Sequence, residues 1–439
     1  MNLPIVAIIG RPNVGKSTLF NRILGRRQAV VHDLPGVTRD RHYAPTDWER
    51  RRFYLVDTGG LTTEAHSALL DQVRAQAEAA IEEADVVLFL VDAKVAPTDL
   101  DEAIAKGLFR HAGKVLLVVN KADGEREEWE SAAWLRLGLG GPCPVSALHG
   151  RGVGDLLSEV VRRLPPRAAA PAEDPEAIRV AVVGRPNVGK SSLVNALLQR
   201  QRMVVDPTPG TTRDAVDSEV VVSGRRFVLV DTAGLRRAAR VKDSTEFFSV
   251  LRTRQSLERC HVAVLLLDAS EPLSAQDVHV AAEVAELRRA AVLAFNKWDL
   301  VEKQTNTARD MERAARERMP FMDYAPALFL SALTRQRASS LWPLLERVHA
   351  QATRRVGTGE LNRFFEQLQK RNPAPASKSG LRPRIYYAAQ TGVLPPTFSL
   401  FVNHPRAVAP NYVRFLEHRM RDEMEFTGTP LALRFRKSE

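Results

Sequence analysis

Two stretches of this chain have the makings of a phosphate-binding loop. GRPNVGKST spans residues 10–18 and GRPNVGKSS spans residues 184–192. Both fit G-x-x-x-x-G-K-[ST], each after an apolar strand-like run and before a helical one, the context in which the pattern means a site. Gly10 and Gly15, like Gly184 and Gly189, let the backbone curl so that successive N–H groups face phosphate oxygens at a helix N-terminus. Arg11, Pro12, Asn13 and Val14 complete the first curl, and Arg185, Pro186, Asn187 and Val188 the second. Lys16 and Lys190 are placed to reach the β- and γ-phosphates, and Ser17 and Ser191, followed by Thr18 and Ser192, offer hydroxyls to Mg²⁺.

Such a loop leaves ATP and GTP open; NKAD at 120–123 and NKWD at 296–299 choose between them. The carboxylates of Asp123 and Asp299 can accept from both the N1–H and the 2-amino group of guanine, whereas adenine offers neither donor. Charge-assisted hydrogen bonds of this kind are worth roughly 1.5–3 kcal/mol each. Asn120 and Asn296 are expected to tie this loop to the phosphate loop. The stems of Lys121 and Lys297 can lie against the base, beside Ala122 and Trp298. Backbone N–H groups of Ser146, Ala147 and Leu148, and of Ser331, Ala332 and Leu333, are expected to close the base pocket. Asp57 and Asp231 end apolar runs and are expected to help hold Mg²⁺. They open Asp57-Thr58-Gly59-Gly60, followed by Leu61, and Asp231-Thr232-Ala233-Gly234, followed by Leu235; the Gly60 and Gly234 N–H groups are expected to face the γ-phosphate. Thr38 and Thr212, in PGVTRD and PGTTRD, suit loops that close over Mg²⁺ and γ-phosphate only when GTP is bound.

These motifs recur in one order. The phosphate loops, the PGxTRD segments and the DTxG segments are all offset by 174 residues, NKxD by 176 and SAL by 185. A duplicated domain explains this. In each copy, runs such as PIVAIIG, VVLFLVD and VLLVVN, or RVAVVG, VAVLLLD and AVLAFN, are apolar throughout. Continuous apolar strands between amphipathic helices predict a sheet buried on both faces, so the fold class is α/β: two tandem, doubly wound, mainly parallel sheets. The boundaries read as 1–163 for the first such domain, a Pro/Ala-rich linker at 164–178, a second domain at 179–352, and a third at 353–439. The third reads as α+β: a helix at 359–371, strands at 384–389 and 397–402, a helix at 410–421 and a strand near 431–436.

Those elements fill a chain of 439 residues with 44% hydrophobic and 26% charged residues, enough for about three domains and too apolar for extended disorder. No apolar run approaches the ~20 residues of a membrane helix, the start reads directly into a strand rather than a leader, and the end has no lipidation signal. A cytoplasmic protein is expected, without a membrane partner. Cys143 and Cys260 form no metal or disulfide pattern and are read as packing residues. Of the net charge of +11, residues 353–439 carry +8, from 15 Lys and Arg against 7 Asp and Glu. A basic end suits a polyanion.

Tandem GRPNVGKS, DTxG and NKxD domains followed by a basic segment holding RIYYAAQTGVLPPTFSLFVN resemble the EngA/Der family of double Era-like GTPases across essentially the whole chain. The resemblance implies GTP hydrolysis, Mg²⁺ dependence, a KH-like third domain, and association with the large ribosomal subunit and its RNA during assembly. Leu61 and Leu235 stand where Ras-like enzymes carry the glutamine that positions water. The resemblance implies instead that Asn13 and Asn187 help hold a K⁺ ion. The groups expected to act on the γ-phosphate are then Asn13, Lys16, Thr38 and Gly60, and Asn187, Lys190, Thr212 and Gly234. A signalling or trafficking switch with protein effectors is the alternative, and a monomer is expected. Arg236, Arg237, Arg240 and Lys242 form a basic cluster after the second DTxG and are expected to report nucleotide state to RNA or a neighbouring domain. No GxxG loop, the usual KH clamp on a nucleic-acid backbone, occurs in residues 353–439, so contact through Arg382, Arg384 and other surface charges, or docking on a G domain, is expected instead. The aromatics of RIYYAA and FLEHRM are assigned to the core.

Overall fold

Alternate residues of each central apolar run point into different cores. In the first sheet Ile5, Ala7 and Ile9 join one cluster with Val87, Phe89 and Val91, while Val6 and Ile8 join another with Val86, Leu88 and Leu90. Burial on both faces removes polar alternation from the strand, which is why these segments read as solid apolar runs.

The structure is a computed structural model that describes residues 3–25, 43–58, 78, 80–166, 176–199, 217–232, 246–377 and 380–438, excluding the side chains of 246–249. Thr38, Gly59, Gly60, Leu61, Thr212, Ala233, Gly234, Leu235 and the basic cluster Arg236, Arg237, Arg240 and Lys242 lie outside the described residues, as does 167–175 of the linker. The chain separates into two compact units, residues 1–172 with 243–252 and residues 173–242 with 253–439.

In the first unit the strands are β1 (Ile5–Ile9), β2 (Tyr43–Trp48), β3 (Arg51–Asp57), β4 (Val86–Asp92), β5 (Val115–Asn120) and β6 (Cys143–Val145), in the order β2-β3-β1-β4-β5-β6. All pairs are parallel except β2 with β3. The second unit repeats this plan with β7 (Ile178–Val183), β8 (Ser218–Val222), β9 (Arg225–Leu229), β10 (Val262–Asp268), β11 (Ala290–Asn296) and β12 (Ala327–Phe329), ordered β8-β9-β7-β10-β11-β12. Of the edge hairpins β2–β3 and β8–β9, the inner strands read as the apolar runs FYLVD and FVLVD, and the outer strands are absent from the sequence reading. Their outer strands, YAPTDW and SEVVV, face water on one side, and Pro45 is compatible only with an edge.

Beyond the second sheet come a helix Thr358–Arg371, β13 (Ile385–Gly392), β14 (Thr397–Val402), a helix Pro410–Met424 and β15 (Ala432–Lys437). β14 pairs antiparallel with β13 and parallel with β15, and both helices cover one face around Phe365, Phe398, Leu400 and Leu416. One segment locks this domain to the second sheet within the same unit. The Gly428 N–H donates to Tyr324 O and the Ala291 N–H donates to Gly428 O, both at 2.8 Å. Gly428 has φ +78, and a Cβ there would lie 2.4 Å from Val348 Cγ2. Arg421 lies over the Tyr324 ring at 5.5 Å and donates to Phe426 O and Thr429 O, bracing the turn that carries Gly428.

Gly428→Ala therefore adds backbone strain and a clash at one point, and is expected to lower stability by roughly 2–4 kcal/mol. Denaturant unfolding measures it, and an unchanged midpoint excludes the tight seat.

Candidate nucleotide-binding sites

The first phosphate loop leaves β1 and becomes the helix Lys16–Leu24; the second leaves β7 and becomes the helix Lys190–Gln199. A Cβ at Gly10 or Gly184 would lie 2.4 Å from a carbonyl, Leu90 O or Leu266 O, and at Gly15 or Gly189 it would strike the amide of Asn120 or Asn296. Asn13 and Asn187 take left-handed backbone, φ 66 and 64, which asparagine tolerates. Inside the first ring, Lys16 Nζ donates to Gly10 O and Arg11 O, each at 2.8 Å. In the second, Lys190 Nζ donates to Gly184 O and Arg185 O at 2.8 and 2.7 Å. Burial lowers the pKa of both lysines, that of Lys190 to about 8. An anion entering either ring stabilises the ammonium that burial disfavours.

Asn120 joins three segments: its Nδ2 donates to Val14 O at 2.8 Å, and its Oδ1 accepts from the Ala147 N–H at 3.0 Å. Asn296 does the same with Val188 O at 2.7 Å and the Ala332 N–H at 2.8 Å. The N–H groups of Ala147 and Ala332, expected to face the base, are here held by these amides. Lys121 pairs with Asp92 at 2.5 Å and donates to Asn13 O at 2.9 Å, and Lys297 pairs with Asp268 at 2.5 Å. Ala122 and Trp298 are buried behind them, whereas Leu148 and Leu333 are exposed.

The carboxylates expected to read guanine differ between copies. Asp123 Oδ2 accepts from Lys94 Nζ at 2.7 Å and its Oδ1 from Ser146 Oγ at 2.7 Å. Lys94 first, then Ser146, holds this carboxyl below the usual range, and the same bond raises Lys94. In the second copy the position of Lys94 is held by Ser270, whose hydroxyl is donated to Asp268 Oδ1 at 2.6 Å. Asp299 Oδ1 is buried with no hydrogen-bond partner, a place that suits a donor on a ligand.

At the cation end, Ser17 Oγ donates to Asp57 Oδ2 at 2.6 Å, and Thr58 Oγ1 donates to Ile8 O at 2.8 Å, fixing the end of β3. A hydroxyl and a buried carboxylate side by side are hard oxygen donors that fit Mg²⁺. Asp231 stands differently: its backbone is left-handed at φ 57, its N–H donates to Asp217, and Ser256 Oγ donates to its Oδ2 at 3.4 Å. Thr18 and Ser192 are exposed on the first turn of their helices.

Sequence reasoning missed the struts. Arg11 pairs with Asp101 at 3.3 Å and Arg185 with Asp277 at 3.4 Å, and both aspartates are buried. Asp101 also closes a capping box with Thr98, and Asp277 with Ser274, so one carboxylate starts a helix and holds the phosphate-loop arginine. The recurrence of T/S-x-x-D at the 176-residue offset of NKxD was the available signal.

A family profile described as "50S ribosome-binding GTPase" matches residues 5–121 and again 179–297. A second, "KH-domain-like of EngA bacterial GTPase enzymes, C-terminal", matches 355–436. The "GTPase Der" of Desulforamulus reducens is 47% identical over 439 residues, covering 100% of this chain and 99% of its own. That of Moorella thermoacetica is 48% identical over 438 residues, with the same coverage. Among solved structures, the FeoB G-domain of Methanococcus jannaschii is 26% identical over 37% of this chain and 98% of its own, with a TM-score of 0.28. With both nucleotide sites and the third domain matched end to end, the chain belongs to the EngA/Der family of GTPases and is a GTP-hydrolysing enzyme.

Proposed function

We propose that this GTPase acts in assembling the large ribosomal subunit, and that its nucleotide state gates binding to the ribosome or its RNA. The observation that carries the reading is the seat of the third domain: residues 353–439, with their +8 charge, share backbone hydrogen bonds through Gly428 with the sheet that bears the second nucleotide site. A polyanionic partner held there is within mechanical reach of that site, and the ribosome named for the matched G-domain profile is such a partner. On this reading residues 1–163 and 179–352 are the two G domains, 164–178 the linker and 353–439 the basic domain, working in the cytoplasm as a monomer. Among the described residues no helix is long and apolar enough to cross a membrane.

Within each site, Lys16 or Lys190 draws the β- and γ-phosphates into the loop, and Asp123 or Asp299 selects guanine. Ser17 and Asp57, and Ser191 and Asp231, would hold Mg²⁺, Thr38 and Thr212 would close over it, and Gly60 and Gly234 would offer N–H groups to the γ-phosphate. Bound Mg²⁺ neutralises phosphate charge as it develops in transfer. Asn13 and Asn187 would help hold K⁺, which would supply positive charge during the transfer.

Three measurements test this reading. Co-sedimentation with large ribosomal subunits in K⁺ buffer is expected to strengthen with a non-hydrolysable GTP analogue relative to GDP; absence of binding in every nucleotide state at modest salt removes the ribosomal role. Replacing K⁺ by Na⁺ at constant ionic strength is expected to slow GTP turnover at least tenfold, and equal rates exclude the monovalent cation. Guanine must displace Lys94 from Asp123 in the first site alone. In a Lys190→Ala background, Lys94→Ser is therefore expected to tighten GDP binding a few-fold, as read by titration with a fluorescent GDP; unchanged or weaker binding rejects the competition.

A further inference from the structure

The third domain has a row of aromatic rings where strand alternation predicts one ring buried and one exposed. Between Ile385 and Tyr387 the register of β13 against β14 shifts: Ile385 faces Val402 and Tyr387 faces Phe401. Tyr386 is the extra residue of a β-bulge, so it and Tyr387 both oppose Phe401. Ile385 and Ala388 turn into the core, while Tyr386 is 55% and Tyr387 47% exposed. This corrects the assignment of the RIYYAA aromatics to the core. Tyr387 and Phe401 rings lie 5.8 Å apart, and across β14 the row continues from Phe401 to the exposed Arg436 on β15. At the other end, the Arg384 guanidinium sits 5.6 Å from the Tyr386 ring centre.

The platform is held rigidly. Gln369 donates to Ile385 O and accepts from the Ile385 N–H, and Asn362 does the same with Ala388. These two amides, from the helix Thr358–Arg371, bracket the tyrosines and occupy backbone groups on the outer edge of β13. Strand addition at those positions is closed, which leaves the face. Asn403 accepts from the Arg384 N–H and donates to Arg382 O, fixing the arginine-bearing segment.

We propose that this face binds single-stranded RNA by stacking unpaired bases on Tyr386 and Tyr387 while Arg384 and Arg436 take the flanking phosphates. The inference rests on the ribosomal-RNA reading above and names the surface that serves it. Charge complementarity selects the occupant: β13, β14 and β15 contain no Asp or Glu, and Arg382, Arg384, Arg434, Arg436 and Lys437 lie on or beside them. An acidic peptide satisfies the arginines but has no use for two adjacent exposed rings; an unpaired nucleic-acid strand uses both. Duplex RNA, with its bases already stacked, does not. A chain without the GxxG clamp thus holds its nucleic acid on bases rather than chiefly on backbone.

The test uses the full-length protein and a fluorescent ten-nucleotide single-stranded RNA of mixed sequence, read by anisotropy, with large-subunit co-sedimentation in parallel. The double variant Tyr386→Ala, Tyr387→Ala is expected to lose about tenfold or more in affinity for the strand, with GTP turnover unchanged. Tyr386→Phe with Tyr387→Phe keeps the rings and stays within about twofold of wild type. Arg384→Ala with Arg436→Ala is expected to flatten the salt dependence. Wild-type affinity in the alanine variant overturns the platform, as does failure of the wild type to bind the strand, tighter binding of the same sequence as a duplex, or displacement of the strand by polyglutamate at equal charge. If the strand results hold but no subunit co-sediments, the ribosomal reading falls and the platform stands. If subunits co-sediment equally with wild type and the alanine variant and strand binding is also unchanged, the platform falls and the ribosomal reading stands.

Discussion

A single asparagine amide in each G domain carries the geometry of the site. Asn120 spans to Val14, 106 residues away, and to Ala147, 27 residues away, so the phosphate loop, the NKAD segment and the SAL segment share one buried hydrogen-bonded centre. The same amide occupies the volume that a Cβ at Gly15 would need. Loop curvature and the seat of the NKAD segment are therefore one packing problem, in which Gly15 is small because Asn120 is near. An orphaned donor or acceptor at such a buried centre costs about 1–3 kcal/mol. Asp123, three residues beyond Asn120, inherits its position relative to the phosphates from this joint, and Asp299 inherits its own from Asn296.

What the sequence made legible follows from that economy. Strands buried on both faces, loops of obligatory glycine and polar tetrapeptides at strand ends have few alternatives, and β1, β4 and β5 with their counterparts β7, β10 and β11 appeared as apolar runs. Edge strands β2 and β8 did not, because an element wet on one face reads much like a loop when Pro45 or Glu219 interrupts it. The Arg11–Asp101 strut was hidden for another reason: it joins residues 90 apart, and nothing local marks Asp101 as more than a helix cap. The tyrosine pair was misplaced because it stands in a run, IYYAA, that reads as core throughout, and alternation would still have buried one of the two rings. A register shift of one residue exchanges faces, and only the pairing with β14 reveals it.

Duplication offers an internal control. Interactions that build the frame are kept in both copies: the asparagine joint, the lysine curled inside the loop, the Lys121–Asp92 and Lys297–Asp268 pairs, and the arginine strut to a capping aspartate. Differences gather where ligands enter. Lys94 covers one carboxylate while Ser270 turns to Asp268 in the other copy, and Asp231 takes a left-handed backbone and accepts from Ser256. Frame residues are buried and mutually constrained, so change there is costly. Lys94 and Ser17 at the entrance are exposed, so two sites of one ancestry can differ there without altering the sheet.

The third domain takes this separation further. Its attachment includes backbone groups of Gly428, where a Cβ would strike Val348, whereas its outward face is set by side chains. Gln369 and Asn362 occupy backbone groups on the outer edge of β13, the bulge turns both tyrosines out, and no GxxG turn is present. Each departs from backbone-mediated binding in the same direction. A domain that commits main-chain hydrogen bonds to holding its neighbour has fewer to give a ligand, and aromatic rings flanked by arginine supply recognition that needs none.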